Sequence, residues 1–180
     1  MKTVKIPSKA VVAMIGASSS GKSTFARQHF LPTEILSSDF FRGMVSDDEN
    51  DQSASQDAFE ILYFVLERRL ARGKLTVVDA TSVRVEDRNR LLAIAARYRF
   101  PVVAIVLRTP EDVCLQRALD RPDRTLGGEV VRRHIAELEG GLDGLEREGF
   151  WRVYVLASSE DVEIRRTAPV ELNQAQEHAC

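Results

Sequence analysis

No apolar run in this 180-residue chain approaches membrane-spanning length, so no spanning helix is expected. Cysteine is scarce. Cys114 and Cys180 are too few for a disulfide framework, and neither stands at metal-ligand spacing from a histidine. A reducing cytoplasm suits them, and the amino terminus carries no signal-peptide pattern. His29, His134 and His178 are the only histidines, and all three read as structural or surface residues. An excess of one charge is missing too: the net charge of −2 gives no global nucleic-acid signature, so a polyanion would need a local basic patch. Internal repeats and low-complexity tracts are absent. Lysine is rare as well, five residues against twenty arginines, so a lysine inside a motif stands out.

One lysine does. Gly16-Ala17-Ser18-Ser19-Ser20-Gly21-Lys22-Ser23-Thr24 fits the P-loop pattern G-x-x-x-x-G-K-[ST]. The apolar run Val11–Ile15 before it reads as a buried strand, and residues 24–30 after it read as a helix stopped near Pro32. Strand, glycine loop and helix together give the motif its required context. Gly16 and Gly21 permit the tight turn and close backbone approach. Amides from Ser18, Ser19, Ser20 and the first helical turn through Thr24 then face phosphate oxygens. Lys22 is expected to reach the β- and γ-phosphates and Ser23 to ligate Mg²⁺, so the chain should bind ATP or another nucleoside triphosphate.

Along the chain, residues 34–37 read as a second strand ending in a loop that carries Asp39 and Arg42. The acids Asp47, Asp48, Glu49 and Asp51 precede a long amphipathic helix over about 54–72, whose dipole they would complement; metal binding is the lesser reading. Leu75–Asp79 reads as a third strand. Asp79 at its end would help hold Mg²⁺, although many strands end in a capping Asp. A helix over about 86–98 leads to a strand at 102–107. Thr109-Pro110-Glu111-Asp112 has the form of a capped helix start. Arg117, Arg121 and Arg124 follow, and pattern alone supports a phosphate-closing lid and a solvated basic face equally. A last helix over about 129–147, interrupted near Gly140-Gly141, leads to a strand at 151–156. From Glu163 onward periodicity fades. This alternation predicts an α/β P-loop phosphotransferase fold: a central parallel sheet of about five strands, helices on both faces and an arginine-bearing lid. The domain would span 1–162, with 163–180 a tail or the start of an interdomain linker.

A carboxylate at the tip of the second strand suits a kinase, whose acceptor hydroxyl needs a base; such help contributes about 10²–10⁴ in rate. Arg42, three residues on, would fix an anionic group of the acceptor.

The run Ser37-Ser38-Asp39-Phe40-Phe41-Arg42-Gly43 with its acidic continuation to Gln52 resembles the kinase module of bacterial polynucleotide kinase-phosphatase, an RNA-repair family. So do the P-loop, Lys74–Thr81, the Arg117/Arg121/Arg124 spacing and Arg147-Glu148-Gly149-Phe150. The likeness covers roughly residues 4–160. It implies a magnesium-dependent kinase that transfers the ATP γ-phosphate to the 5′-OH end of RNA or DNA. Asp39 would be the general base and Arg42 the contact to the adjacent nucleic-acid phosphate. Arg117 and Arg124 would be lid arginines on the ATP phosphates, with Arg121 in the same segment. Phosphatase and ligase domains would follow in a longer parent, with this domain monomeric by itself. A small-molecule P-loop kinase and a nucleotide-dependent switch are the alternatives.

Overall fold

The computed structural model describes residues 1–120, 127–157 and 161–170. The described residues form seven strands and six α-helices, in the order β1 (Lys2–Pro7), β2 (Val11–Ile15), α1 (Lys22–His29), β3 (Ile35–Ser37), α2 (Ser38–Ser46), α3 (Ser55–Ala71), β4 (Thr76–Asp79), α4 (Val85–Arg97), β5 (Val102–Leu107), α5 (Glu111–Leu119), α6 (Gly128–Gly141), β6 (Arg152–Leu156) and β7 (Val162–Thr167).

Five strands form one parallel sheet in the order β3-β4-β2-β5-β6. The expected central sheet is therefore present, with β2 in the middle. Both faces of β2 are buried, which explains its unbroken apolar sequence. Val11, Ala13 and Ile15 pack into one core with residues of α3 and α4; Val12 and Met14 pack into the other with Ala26 and Phe30. Such period-two sorting over a covered sheet is what a doubly wound architecture requires. In-register pairing sets Met14 of β2 beside Asp79 of β4, so the start of the glycine loop and the acid share the sheet's carboxyl edge.

The chain departs from the sequence reading in several places. Residues 38–42 are not a loop but the first turns of α2, capped by Ser37, whose hydroxyl accepts from the Phe40 N–H at 3.4 Å. The acids after it shape turns: Asp51 accepts from the Ser53 N–H and Oγ at the 3-10 turn leading into α3. The last long helix stops at Gly141 and continues as a 3-10 turn, Leu142–Arg147, as the glycine pair suggested.

Residues 163–167 are no tail. Val162–Thr167 form β7, which pairs in parallel with β1 as a separate two-stranded sheet. Val4 and Ile6 of β1 are fully buried and close the second core. Only two apolar residues alternate on each strand, too short a pattern to announce a sheet.

A buried ion pair fastens the opposite side. Arg88 of α4 is 1% exposed and meets Glu148 through two hydrogen bonds, Nε to Oε2 at 2.6 Å and Nη2 to Oε1 at 2.7 Å. Its Nη1 donates to the carbonyls of Ser82 and Val83.

Candidate active site

The loop after β2 is shaped by two glycines. A Cβ on Gly16 would stand 2.9 Å from the Leu107 carbonyl oxygen, so the backbone of β5 excludes any side chain there. Gly21, the residue before α1, has φ +100, in the region that favours glycine. The Gly16 N–H donates to the Thr81 carbonyl, tying the loop to the chain just beyond β4.

Lys22 is buried beneath the loop, and its ammonium donates to the carbonyls of Gly16 at 2.8 Å and Ala17 at 2.7 Å. From the far side, the Thr109 hydroxyl donates to the Ser20 carbonyl at 2.8 Å, and Arg117 Nη1 reaches the same oxygen at 3.3 Å. Thr109 therefore does not cap α5, whose preceding residue is Pro110; it clamps the glycine loop instead.

Asp79 is 5% exposed, with the Ser23 hydroxyl and the Lys22 ammonium near enough to bear on its carboxyl. Burial pushes its carboxyl above the ordinary carboxylate range, and the Ser23 hydroxyl and the Lys22 charge only partly oppose that. A buried carboxylate beside a hydroxyl at the end of the phosphate loop suits a small hard cation. Among the described residues no cluster of three His, Cys, Asp or Glu side chains could hold a metal alone. Ser23 and Asp79 would be the protein's share for a Mg²⁺ that keeps water and phosphate oxygens as its other ligands.

Asp39, in the first turn of α2, pairs with Arg42 at 2.9 Å. Arg42 is itself buried, with Nη1 also donating to the Glu49 carbonyl at 2.6 Å and Nε to Ser55 Oγ at 3.2 Å. Its Nη2 has no hydrogen-bond partner among the described residues.

A cleft of about 350 Å³ gathers Ser18, Ser19, Gly21, Lys22, Ser23 and Thr24 with Asp39, Arg42 and Asp79. A second, of about 530 Å³, opens on the other side of the loop. Ser20, Phe25, Arg117 and Ala157 line it, with Ser19, Gly21 and Thr24 common to both. Gly16 lies at the base of the loop and lines neither. Arg121 and Arg124 lie outside the described residues.

The sequence reading missed His134. Its Nδ1 lies 3.1 Å from Ser18 Oγ, across 116 residues of chain, and the ring lines the first cleft. Arg84 and Arg133 stand in the same wall, with Arg84 paired to Glu137 at 3.7 Å. Nothing local announces these residues, because tertiary packing alone brings α4 and α6 to the loop.

Solved structures share this fold. A protein of inferred kinase activity from Chloroflexus aurantiacus j-10-fl is 20% identical with a TM-score of 0.62, over 86% of this chain and 92% of that one. A chain of the Pnkp1/Rnl/Hen1 RNA repair complex is 20% identical with a TM-score of 0.67, over 77% of this chain and 47% of that one. A gluconokinase from Sinorhizobium meliloti 1021 is 17% identical with a TM-score of 0.53, over 87% and 86%. No curated protein matches the sequence. The family match runs from Val11, the first residue of β2, to Leu145 in the 3-10 turn after α6, and through it the chain belongs to the AAA domain family.

Proposed function

We propose that this domain is an ATP-dependent kinase that phosphorylates the 5′-hydroxyl end of a polynucleotide. The observation that carries the reading is the shared cleft: Asp39 opens onto the same space as Lys22, Ser23 and Asp79. A hydroxyl bound there would stand between a carboxylate and the phosphate loop.

The nucleoside of ATP would occupy the second cleft, beside Phe25 and Arg117, and its phosphates would cross the loop into the first. Lys22 would leave its carbonyl partners for phosphate oxygens, and Arg117 would follow the phosphate chain from its place on Ser20. Bound by Ser23 and Asp79, Mg²⁺ would neutralise charge on the phosphates. Asp39 would orient the acceptor hydroxyl and take its proton as the new P–O bond forms. Arg42 holds that carboxylate with Nη1, which leaves Nη2 for a phosphate of the acceptor strand.

The polynucleotide acceptor rests on the Ser37–Gln52 resemblance, supported by the fold shared with the RNA repair complex. The fold shared with a gluconokinase favours a second reading, a small polyhydroxy acceptor in the same cleft. Label transfer from γ-labelled ATP to a 5′-OH oligonucleotide, in competition with small alcohols, separates the two. Asp39→Ala is expected to lose about 10²–10⁴ in rate while still binding nucleotide. Hydrolysis of ATP with no labelled oligonucleotide would end the polynucleotide reading.

A further inference from the structure

We propose that His134 is a contact for the terminal phosphate of the bound nucleoside triphosphate, donating from Nε2 while Ser18 holds Nδ1. The inference rests on the nucleotide-binding half of the reading above and not on the identity of the acceptor.

Three observations carry it. First, the ring is anchored by one nitrogen only. Ser18 Oγ lies 3.1 Å from Nδ1, while Nε2 has no hydrogen-bond partner among the described residues and is not sealed from solvent. A Ser18 hydroxyl that donates to Nδ1 leaves the ring proton on Nε2, making that nitrogen a donor. Second, the ring lines the first cleft but not the second. The first cleft holds Asp39 and Asp79, the groups suited to the reacting end of a phosphate chain. The second holds Phe25 and Arg117. A triphosphate that enters from the second cleft therefore presents its last phosphate, not its first, to His134. Third, Ser18 directly follows Ala17, whose carbonyl accepts from the Lys22 ammonium, so the histidine stands over the part of the loop that Lys22 serves.

The surroundings fit an anion. Lys22, Arg133 and Arg84 bear on the ring as cations, against Glu137 one turn along α6. Burial foremost holds the imidazole below its ordinary range, so at neutral pH it is an uncharged donor that adds no repulsion to these cations.

The test compares adenylyl imidodiphosphate with ADP, which lacks the last phosphate, by titration calorimetry with Mg²⁺. In His134→Asn the amide takes the Nδ1 position against Ser18 and nothing reaches as far as Nε2. His134→Gln reaches the Nε2 position. The Asn variant is expected to bind the triphosphate analogue about tenfold more weakly, with ADP unchanged, from the loss of one hydrogen bond to a charged group. The Gln variant should recover much of that loss. Ser18→Ala, which frees the ring without removing it, should shift the same ratio in the same direction by less, and it serves if the histidine variants fold poorly. Equal weakening of both nucleotides, or no change in either, overturns the proposal. If the oligonucleotide is never phosphorylated but the triphosphate-to-diphosphate ratio shifts as stated, the acceptor assignment fails and this one stands.

Discussion

Replacing Glu148 with leucine should leave the Arg88 guanidinium buried without a counter-charge. The side chain is 1% exposed and its two carboxylate bonds are short, so water cannot take over from Glu148 without opening the turn that carries it. Breaking one half of such a buried pair costs about 3–5 kcal/mol, against a total stability of about 5–15 kcal/mol for a domain. At about 2–4 °C per kcal/mol for a chain of this size, the melting point should fall by roughly 6–20 °C. Trp151, three residues from Glu148 and the only tryptophan, gives a fluorescence signal for urea unfolding beside circular dichroism. The double variant Arg88→Met/Glu148→Leu removes both charges and should recover part of the loss. Recovery stays incomplete because the Ser82 and Val83 carbonyls lose their Nη1 donor. A loss below about 1 kcal/mol for Glu148→Leu, or a double variant no more stable than the single, would refute the reasoning.

Two further outcomes follow from the site. Because burial raises the carboxyl of Asp79, the folded state holds its proton more tightly than the unfolded chain does. That contribution to stability is present in acid and is lost as pH rises through the raised value. With chelator at pH 7, Asp79→Asn should therefore melt higher than the parent, while magnesium-dependent turnover collapses. The gap should narrow below about pH 4, and a lower midpoint at pH 7 would contradict the burial argument. Thr109→Val keeps the shape of the side chain and removes its bond to the Ser20 carbonyl. It should cost about 1 kcal/mol in urea unfolding and weaken nucleotide binding, and unchanged values for both would show that the clamp carries nothing.

The parts of this site that the sequence declared are those whose chemistry is local. The spacing of Gly16, Gly21 and Lys22 states a backbone conformation outright, and a β-branched run ending in Asp79 states a strand with an acid at its tip. Asp39 stands in the first turn of a helix where a loop was expected, because Ser37 serves equally as a loop residue and as a helix cap. What stayed hidden depends on distant packing. Ser18 meets His134 over 116 residues, Ser20 meets Thr109 over 89, and Arg88 meets Glu148 over 60. The motif Arg147-Glu148-Gly149-Phe150 was visible as a likeness, yet the work of Glu148 became legible only with Arg88 buried against it.

The pairing of β1 with β7 has a mechanical side. Because the two strands run in parallel, Lys2 and Thr167 sit at opposite ends of the ribbon, separated by about 17–20 Å for six residues. Tension drawn between those ends would load the ribbon in shear, with all its rungs resisting together, where an antiparallel hairpin would unzip one rung at a time. Val162, the first residue of β7, lines the cleft assigned to the nucleoside. A pull on the chain beyond Thr167 would therefore bear on that cleft as well as on β6, to which Lys2 and Lys5 of the ribbon are hydrogen-bonded.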